Sequence, residues 1–258
     1  MSKFFKKAYL YLVLLFLYAP ILTLIVYSFN ANKTRASWGG FSLNWYMELF
    51  QDPEILNSLY ITIACAVIAA ILATILGTLA AIGMHSMDKL PKLIFTSISY
   101  LPMLTPEIVT GVSLMILFLA VKLELGFVTM VLSHVAFDIP YVIFAVLPKL
   151  KQMNNHAYEA ALDLGATPTQ ALMKVIIPEI LPGIFTGLLL SFTLSLDDFV
   201  ISYFVGGPVQ NLSVLIYSMA RRGINPKINA LSALMFVFIV ILLLVVNRRA
   251  SIVEQKQH

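Results

Sequence analysis

Four carboxylates stand within or at the ends of apolar runs: Glu107, Asp138 and the adjacent pair Asp197-Asp198, with His134 in one of the same runs. A carboxylate at the centre of a bilayer costs about 2.5–3.5 kcal/mol on insertion scales, and an adjacent pair facing lipid roughly twice that. Such groups face a cavity, a partner or the interface. Two chemistries suit them: drawing cations along a path, or acid–base work with the histidine. Each also has a structural use. Glu107 follows Thr105-Pro106 and suits the positive N-terminus of a half-helix. Asp138 precedes Pro140 and can cap a resumed helix, and Asp197-Asp198 can lie near the headgroups. No HExxH, paired metal-ligand spacing, P-loop or dinucleotide fingerprint occurs. No metal, no cofactor and no ATP hydrolysis by this chain itself are therefore expected.

The elements that must position these residues are membrane helices. The chain has 258 residues, 60% hydrophobic and 12% charged, with a mean hydropathy of +0.89. A span needs about 20 apolar residues, and six runs qualify. They cover about Ala8 to Phe29, Leu56 to Met84, Leu93 to Ala120, Leu125 to Leu147, Ile180 to Val205 and Leu231 to Val246. The first follows Lys3, Lys6 and Lys7 and is read as an uncleaved helix, because Tyr18-Ala19-Pro20 is a poor cleavage site. Between the first two spans lies a polar, aromatic outer loop with Trp38 and Trp45 placed at the membrane interface. In the second span Ala69, Ala73, Gly77 and Ala81 form a small-residue stripe for close helix packing. Pro102 and Pro106 kink or interrupt the third span, and interrupted helices often line a pathway. Cys65 is the one cysteine and lies mid-span, so no intrachain disulfide forms.

On a helical wheel of about 100° per residue, Phe192, Phe199 and Tyr203 share one side of the fifth span. Asp197 and Asp198 fall on the opposite side with Gly183 and Gly187, toward the interior. Counting about 1.5 Å per residue from Ile180 puts Asp197 roughly 25 Å up, near the outer mouth. Glu107 lies in the outer half of its span and Asp138 near the middle, so negative groups gather toward the outside. With the N-terminus inside, inner segments carry 11 of the 17 basic residues: Lys3, Lys6, Lys7, Lys89, Lys92, Lys149, Lys151, Lys174, Arg248, Arg249 and Lys256. Lys33, Arg35, Lys122, Arg221, Arg222 and Lys227 fall outside, with Arg221-Arg222 the exception that would serve an outer partner. Membrane topology thus accounts for the net charge of +4, and no nucleic-acid partner is implied.

The longest run that is neither strongly apolar nor terminal extends from Tyr158 to Pro178. Asn154 and Asn155 can cap a helix over Tyr158 to Leu164, and Gly165 can end it in the left-handed conformation. Thr167, Pro168 and Gln170 read as a capping box opening a second helix, stopped by Pro178.

Glu159, Ala160, Ala161 and Gly165, with Val175-Ile176-Ile177-Pro178 in place of Ile-x-Leu-Pro, resemble the EAA loop of ABC-importer permeases. The run Ser195 to Phe204, with Gly206-Gly207 after it, resembles the spermidine/putrescine (PotC-type) family of such permeases, and the likeness extends over the whole chain. His134, six residues before Pro140, is similar to a pattern shared by permeases of many substrates and is read as structural.

The resemblance implies an all-α membrane protein of six transmembrane helices with the type I ABC-importer permease fold. It implies docking of Glu159, Ala160, Ala161 and Gly165 on a separate ATPase, while the gathering of carboxylates toward the outside independently suggests a substrate path past Asp197, Asp198, Glu107 and Asp138. Its implied partners are a homologous permease forming a heterodimer, two copies of an ABC ATPase and a periplasmic polyamine-binding protein. The expected divisions are residues 1–55 (first helix and outer loop), 56–248 (permease core with a cytoplasmic coupling loop at about 150–179) and 249–258 (a cytoplasmic tail). Both termini are expected in the cytoplasm, in a bacterial inner membrane. Linear polycations suit the acidic outer path, whereas a multiply anionic solute would want cations that the spans lack. The competing readings are an ABC importer for another small solute, a proton-coupled carrier in which the EAA loop has no role, and an intramembrane hydrolase using Asp and His.

Overall fold

The computed structural model describes residues 3–33, 37–153, 155–223 and 226–255, with side chains described for 7–33, 37–153, 156–223 and 226–241. Asn154 as a cap, Arg35, Lys256 and the end of the tail lie outside the described residues, as do the side chains of Lys3, Lys6, Asn155, Arg248 and Arg249. The helices are α1 (Lys3–Ser28), α2 (Asn44–Phe50), α3 (Pro53–His85), α4 (Lys89–Leu104), α5 (Glu107–Ala120), α6 (Phe127–Gln152) and α7 (Asn155–Asp163). After these come α8 (Pro168–Ala171), a π-helical turn (Leu172–Ile176), α9 (Ile177–Asp197), α10 (Val200–Val205), α11 (Leu212–Arg222) and α12 (Pro226–Gln255). Among the described residues there is no strand, only an isolated bridge between Asn30 and Phe41. By length and composition four stretches can cross a membrane: Lys7–Ser28, Pro53–His85, Phe127–Gln152 and Pro168–Asp197. The bent pair α4–α5 makes a fifth if taken as one span, and Pro226–Ile241 is a shorter apolar helix.

Contacts divide the chain into two compact units, residues 1–57 with 215–258, and residues 58–214. In the first, α12 packs on α1 and α2. The outer loop is ordered by hydrogen bonds: Trp45 Nε1 donates to the Asn30 carbonyl at 2.7 Å, and Asn30 Oδ1 accepts from Gly39 N at 2.8 Å. Trp45 is therefore buried, which corrects its placement as an interfacial anchor, while Trp38 is exposed. An indole whose N–H has a protein acceptor gains more from apolar burial than from the headgroup layer. Lys227 Nζ lies 3.1 Å from Asp52 Oδ2 and 3.6 Å from Glu48 Oε2. Burial pushes the Asp52 carboxyl up, but the hydrogen bond and charge of Lys227, with the N–H groups of Glu54 and Ile55, hold it below its ordinary value.

In the second unit α6 lies between α3 and α9, and three glycines make that possible. A Cβ on Gly77 would fall 2.7 Å from Val142 Cβ and 3.1 Å from the Ile139 carbonyl. From the other side, a Cβ on Gly187 would meet Val142 Cγ1 at 3.0 Å, and one on Gly183 would meet Lys149 Cγ at 2.9 Å. Ala69, Ala73 and Ala81 of the small-residue stripe are fully buried. The stripe thus sets the approach of α3 to α6, as dispersion between backbones that lipid cannot separate requires. Apolar clusters around Met130–Phe137 and Val142–Leu150 complete the core.

The third span is broken at Thr105-Pro106, where α4 and α5 meet at 102°. Two expectations are corrected. Pro178 does not stop the helix that starts at Pro168: Ile177 N donates to the Leu172 carbonyl, five residues back. That wide turn absorbs a residue without an N–H, so the helix runs on to Asp197. Nor does the fifth span reach Val205 unbroken, because Asp198 takes an extended ψ of 124° and α10 starts afresh at Val200. A wheel of about 100° per residue fails across that break.

The packing and the Asp52 ion pair can each be tested. Gly77→Leu and Gly187→Leu should each lower thermal stability in detergent by about 1–3 kcal/mol through overpacking, while Gly83→Ala, with nothing within 4 Å of its Cβ, should be neutral. Equal melting of all three would contradict the packing. For Asp52, a carboxyl held low stabilises the fold above its unfolded-state value and loses that contribution as pH falls through the folded value, here below about pH 4. Protection of residues 44–57, taken relative to intrinsic exchange, should therefore fall as pH drops below about 4, and Lys227→Met should diminish that dependence.

Candidate substrate path and coupling surface

Asp138, Ser195, Asp198 and Ser202 converge on His134, which is 2% exposed. On one side its Nδ1 lies 3.0 Å from Ser195 Oγ, whose hydroxyl donates to Asp138 Oδ2 at 2.8 Å. Ser191 Oγ donates to the same oxygen at 2.7 Å. On the other side Nε2 lies 3.1 Å from Asp198 Oδ2 and 2.9 Å from Ser202 Oγ. With the Ser195 proton committed to Asp138, the ring lies between two carboxyl groups, Asp198 directly and Asp138 through the serine hydroxyl. Cys65 Sγ, 3.7 Å from Nδ1, closes the remaining side.

The local sequence explains how three helices reach one point. Ser191 and Ser195 are one turn apart on the face of α9 that carries Gly183 and Gly187, so this face turns from apolar to hydroxyl where it meets His134 and Asp138 on α6. The chain then breaks, and Asp198 caps α10: its carboxylate accepts from Ile201 N at 3.2 Å and Ser202 N at 2.8 Å. Asn211 Nδ2 donates to the Asp198 carbonyl at 2.7 Å and to Ser202 Oγ at 2.9 Å, and its Oδ1 accepts from Val214 N at the start of α11. Asp138 Oδ1 is buried with no hydrogen-bond partner among the described residues.

Of the four carboxylates singled out from sequence, the structure brings Asp138 and Asp198 together through His134 and Ser195. Asp197 is not part of the network. Its side chain is exposed, although the wheel turned it inward. Glu107 is exposed in the first turn of α5, where its charge suits the helix N-terminus. A Cβ on Gly111, one turn further on, would lie 3.4 Å from Ile201 Cα. The helix that starts with Glu107 therefore rests on α10, the helix after Asp197-Asp198. Ser191, Ser195, Ser202 and Asn211 were missed in sequence. For Ser191 and Ser195 the signal was their four-residue spacing, which continues that of Gly183 and Gly187 and leads into the aspartate pair. Among the described residues no three His, Cys, Asp or Glu side chains form a metal-binding group.

At the other end of the same long helix lies the loop. Gly165 adopts φ +85°. Its N–H donates to the Leu162 carbonyl at 2.9 Å and Ala166 N to that of Ala161 at 3.0 Å, which is a Schellman ending of α7. Thr167 and Gln170 form the reciprocal capping box. The elbow presents Glu159, Ala160 and Gly165 to solvent, with Ala161 half-buried. Glu159 Oε2 is 3.6 Å from His156 Nδ1. Leu164, which sequence reasoning passed over, is 90% exposed, and Met173 is also exposed. Exposed apolar side chains beside a charged one on a rigid elbow are the chemistry of a docking surface.

Residues 73–258 match the model of a family described as the inner membrane component of binding-protein-dependent transport systems. The chain is 40% identical to the spermidine/putrescine transport system permease protein PotC of Haemophilus influenzae, over 92% of this chain and 93% of that protein. It is equally 40% identical to the putrescine transport system permease protein PotI of Escherichia coli, over 85% and 81%. Among solved structures, a bacterial ABC transporter that imports the acidic polysaccharide alginate matches 95% of this chain and 96% of its own, with a TM-score of 0.70 at 16% identity. A methionine ABC transporter matches 81% and 97%, with a TM-score of 0.64 at 19% identity. At those identities the likeness carries the fold alone. With its apolar helices, the chain is a multi-pass protein of the inner membrane, and it belongs to the family of inner membrane components of binding-protein-dependent transport systems.

Proposed function

We propose that this chain is a pore subunit of an ATP-driven importer that moves the polyamines spermidine and putrescine inward, and that ATP is hydrolysed by a partner. The observation that carries the reading is the likeness, over nearly the whole chain, to permeases named for those solutes. In this reading α12 supplies a sixth span and both termini lie in the cytoplasm. The divisions are then 1–55, a core of 56–248 with its coupling loop at 150–179, and a tail of 249–258. The complex pairs the chain with a homologous permease, two ABC ATPases and a periplasmic polyamine-binding protein.

Glu159, Ala160, Ala161 and Gly165, joined by Leu164, dock the ATPase. The exposure of Leu164 and the fixed elbow support this role. Asp197 and Glu107 meet the polycation directly, since they are the exposed members of the acidic set. Asp138 and Asp198 serve the path by holding its wall, because Asp138 Oδ2 and both Asp198 oxygens already serve the serines, His134 and the α10 N-terminus. The helical run Pro168–Asp197 has the loop at one end and Asp197 at the other. At 30 residues it spans about 45 Å, giving coupling a single rod to act through.

Three sets of variants test these roles in ATP-driven spermidine uptake. Gly165→Val should abolish most transport, at least tenfold, whereas Gly165→Asn should be tolerated. Its Cβ position is open, so only the positive φ discriminates between them. Glu159→Lys should weaken ATPase association. Asp197→Asn should slow uptake about ten- to a hundredfold with unfolding unchanged, from loss of a charge-assisted bond of about 1.5–3 kcal/mol. Asp198→Asn should instead destabilise the folded chain by about 3–5 kcal/mol, by stranding His134. If Asp197→Asn transports at the parental rate, Asp197 does not touch substrate.

A further inference from the structure

α4 has an inverted pattern. Leu90, Leu93, Ile94, Phe95, Ile98, Leu101 and Leu104 are all exposed, and the helix buries no residue. Its polar side chains recur at a spacing of four, as Lys92, Thr96 and Tyr100, and this stripe faces α6. It does not close on α6. A cavity of about 230 Å³ remains, lined by Lys92, Thr96 and Tyr100 from α4 and by Phe144, Leu147, Pro148 and Lys151 from α6. Tyr100, itself 44% exposed, stacks on Phe144 with ring centroids 3.9 Å apart. The cavity lies between the first three turns of α4 and the last two turns of α6, where Lys149 and Lys151 also lie.

A cavity with aromatic and aliphatic walls, two ammonium groups and an opening among exposed apolar side chains is matched by a ligand with an anionic head and an apolar body. Lys92 Nζ spends one N–H on the His85 carbonyl, at 3.1 Å, which leaves two. Lys151 is exposed. We propose that the α4–α6 cavity binds the phosphate headgroup of an anionic phospholipid, in the leaflet on the side of the α7–α8 loop. The phosphate lies between Lys92 and Lys151, with the acyl chains along the apolar face of α4. Basic pockets between helices at the ends of spans suit such headgroups. The site also gives α4 a reason to carry a lysine and a threonine toward α6 rather than the alanines and glycines that close α3 against it.

The test uses the full-length chain in vesicles containing a photoactivatable phosphatidylglycerol or, separately, a photoactivatable phosphatidylcholine. The proposal expects the anionic probe to label peptides of residues 89–104 and 140–152 preferentially. Labelling should fall about fivefold with Lys92→Gln or Lys151→Gln and roughly 25-fold with both, at about a fivefold contribution per basic residue near an anionic lipid. Lys→Arg at each position should restore it, which separates loss of charge from loss of folding. Millimolar inorganic phosphate should not compete, because it lacks the acyl chains that the apolar wall receives. Equal labelling by both lipids, labelling indifferent to the lysines, or displacement by free phosphate would each overturn the lipid assignment. So would loss of labelling on assembly with the partner permease, which would mean that protein, not lipid, covers the cavity.

Discussion

The structure of residues 58–214 depends on one buried charge arrangement: the imidazole of His134 held between Asp138, through Ser195, and Asp198. Any of these groups left alone at that depth would be costly, and breaking a buried pair typically costs about 3–5 kcal/mol. Together they are tolerated, and they dictate backbone geometry around them. Asp198 reaches His134 only because α9 ends at Asp197, and the same carboxylate then caps α10. Asn211 ties that break to the start of α11. Three helix ends are thus fixed by two side chains and their hydrogen bonds.

This arrangement divides the acidic residues by role. Two are consumed internally, and the two that remain exposed, Asp197 and Glu107, sit at helix ends beside breaks. Broken helices free backbone groups as well as side chains, which is why irregular backbone at membrane depth is confined to positions where it lines a cavity or meets protein. Close packing of α6 between α3 and α9 keeps this frame rigid, since Val142 meets a glycine on each side. The exposed, separately capped elbow at Gly165 and this packed frame are the two parts that the proposed coupling through Pro168–Asp197 would use.

Much of this was legible in the sequence because it rests on local rules. The elbow at Gly165 and the capping box at Thr167 and Gln170 arise from backbone φ and hydrogen bonds within a few residues, and both form as read. The break at Pro106 and the buried stripe of Ala69, Ala73 and Ala81 were equally local. What failed depended on distant partners. Nothing near Pro178 announces a π-helical turn that carries the helix through, and nothing beside Asp198 announces His134, 64 residues earlier. The wheel took Gly183 and Gly187 as the inward face, but the buried face drifts along α9 through Ser191 and Ser195 and leaves Asp197, its last residue, exposed. Trp45 was assigned by residue type to the interface, but the Asn30 carbonyl that buries it belongs to the far side of the loop.

The central claim is that this chain conducts polycations inward at the expense of ATP hydrolysed by a partner. It is tested most directly in proteoliposomes holding the chain with the proposed permease partner, ATPase and binding protein, with the proton gradient collapsed. Uptake is measured for labelled spermidine, putrescine, a neutral sugar and a multiply anionic solute. The account predicts ATP-dependent accumulation of the polyamines and none of the anion. Accumulation driven by a proton gradient without ATP, or uptake of the anion in preference to the polyamines, would contradict it.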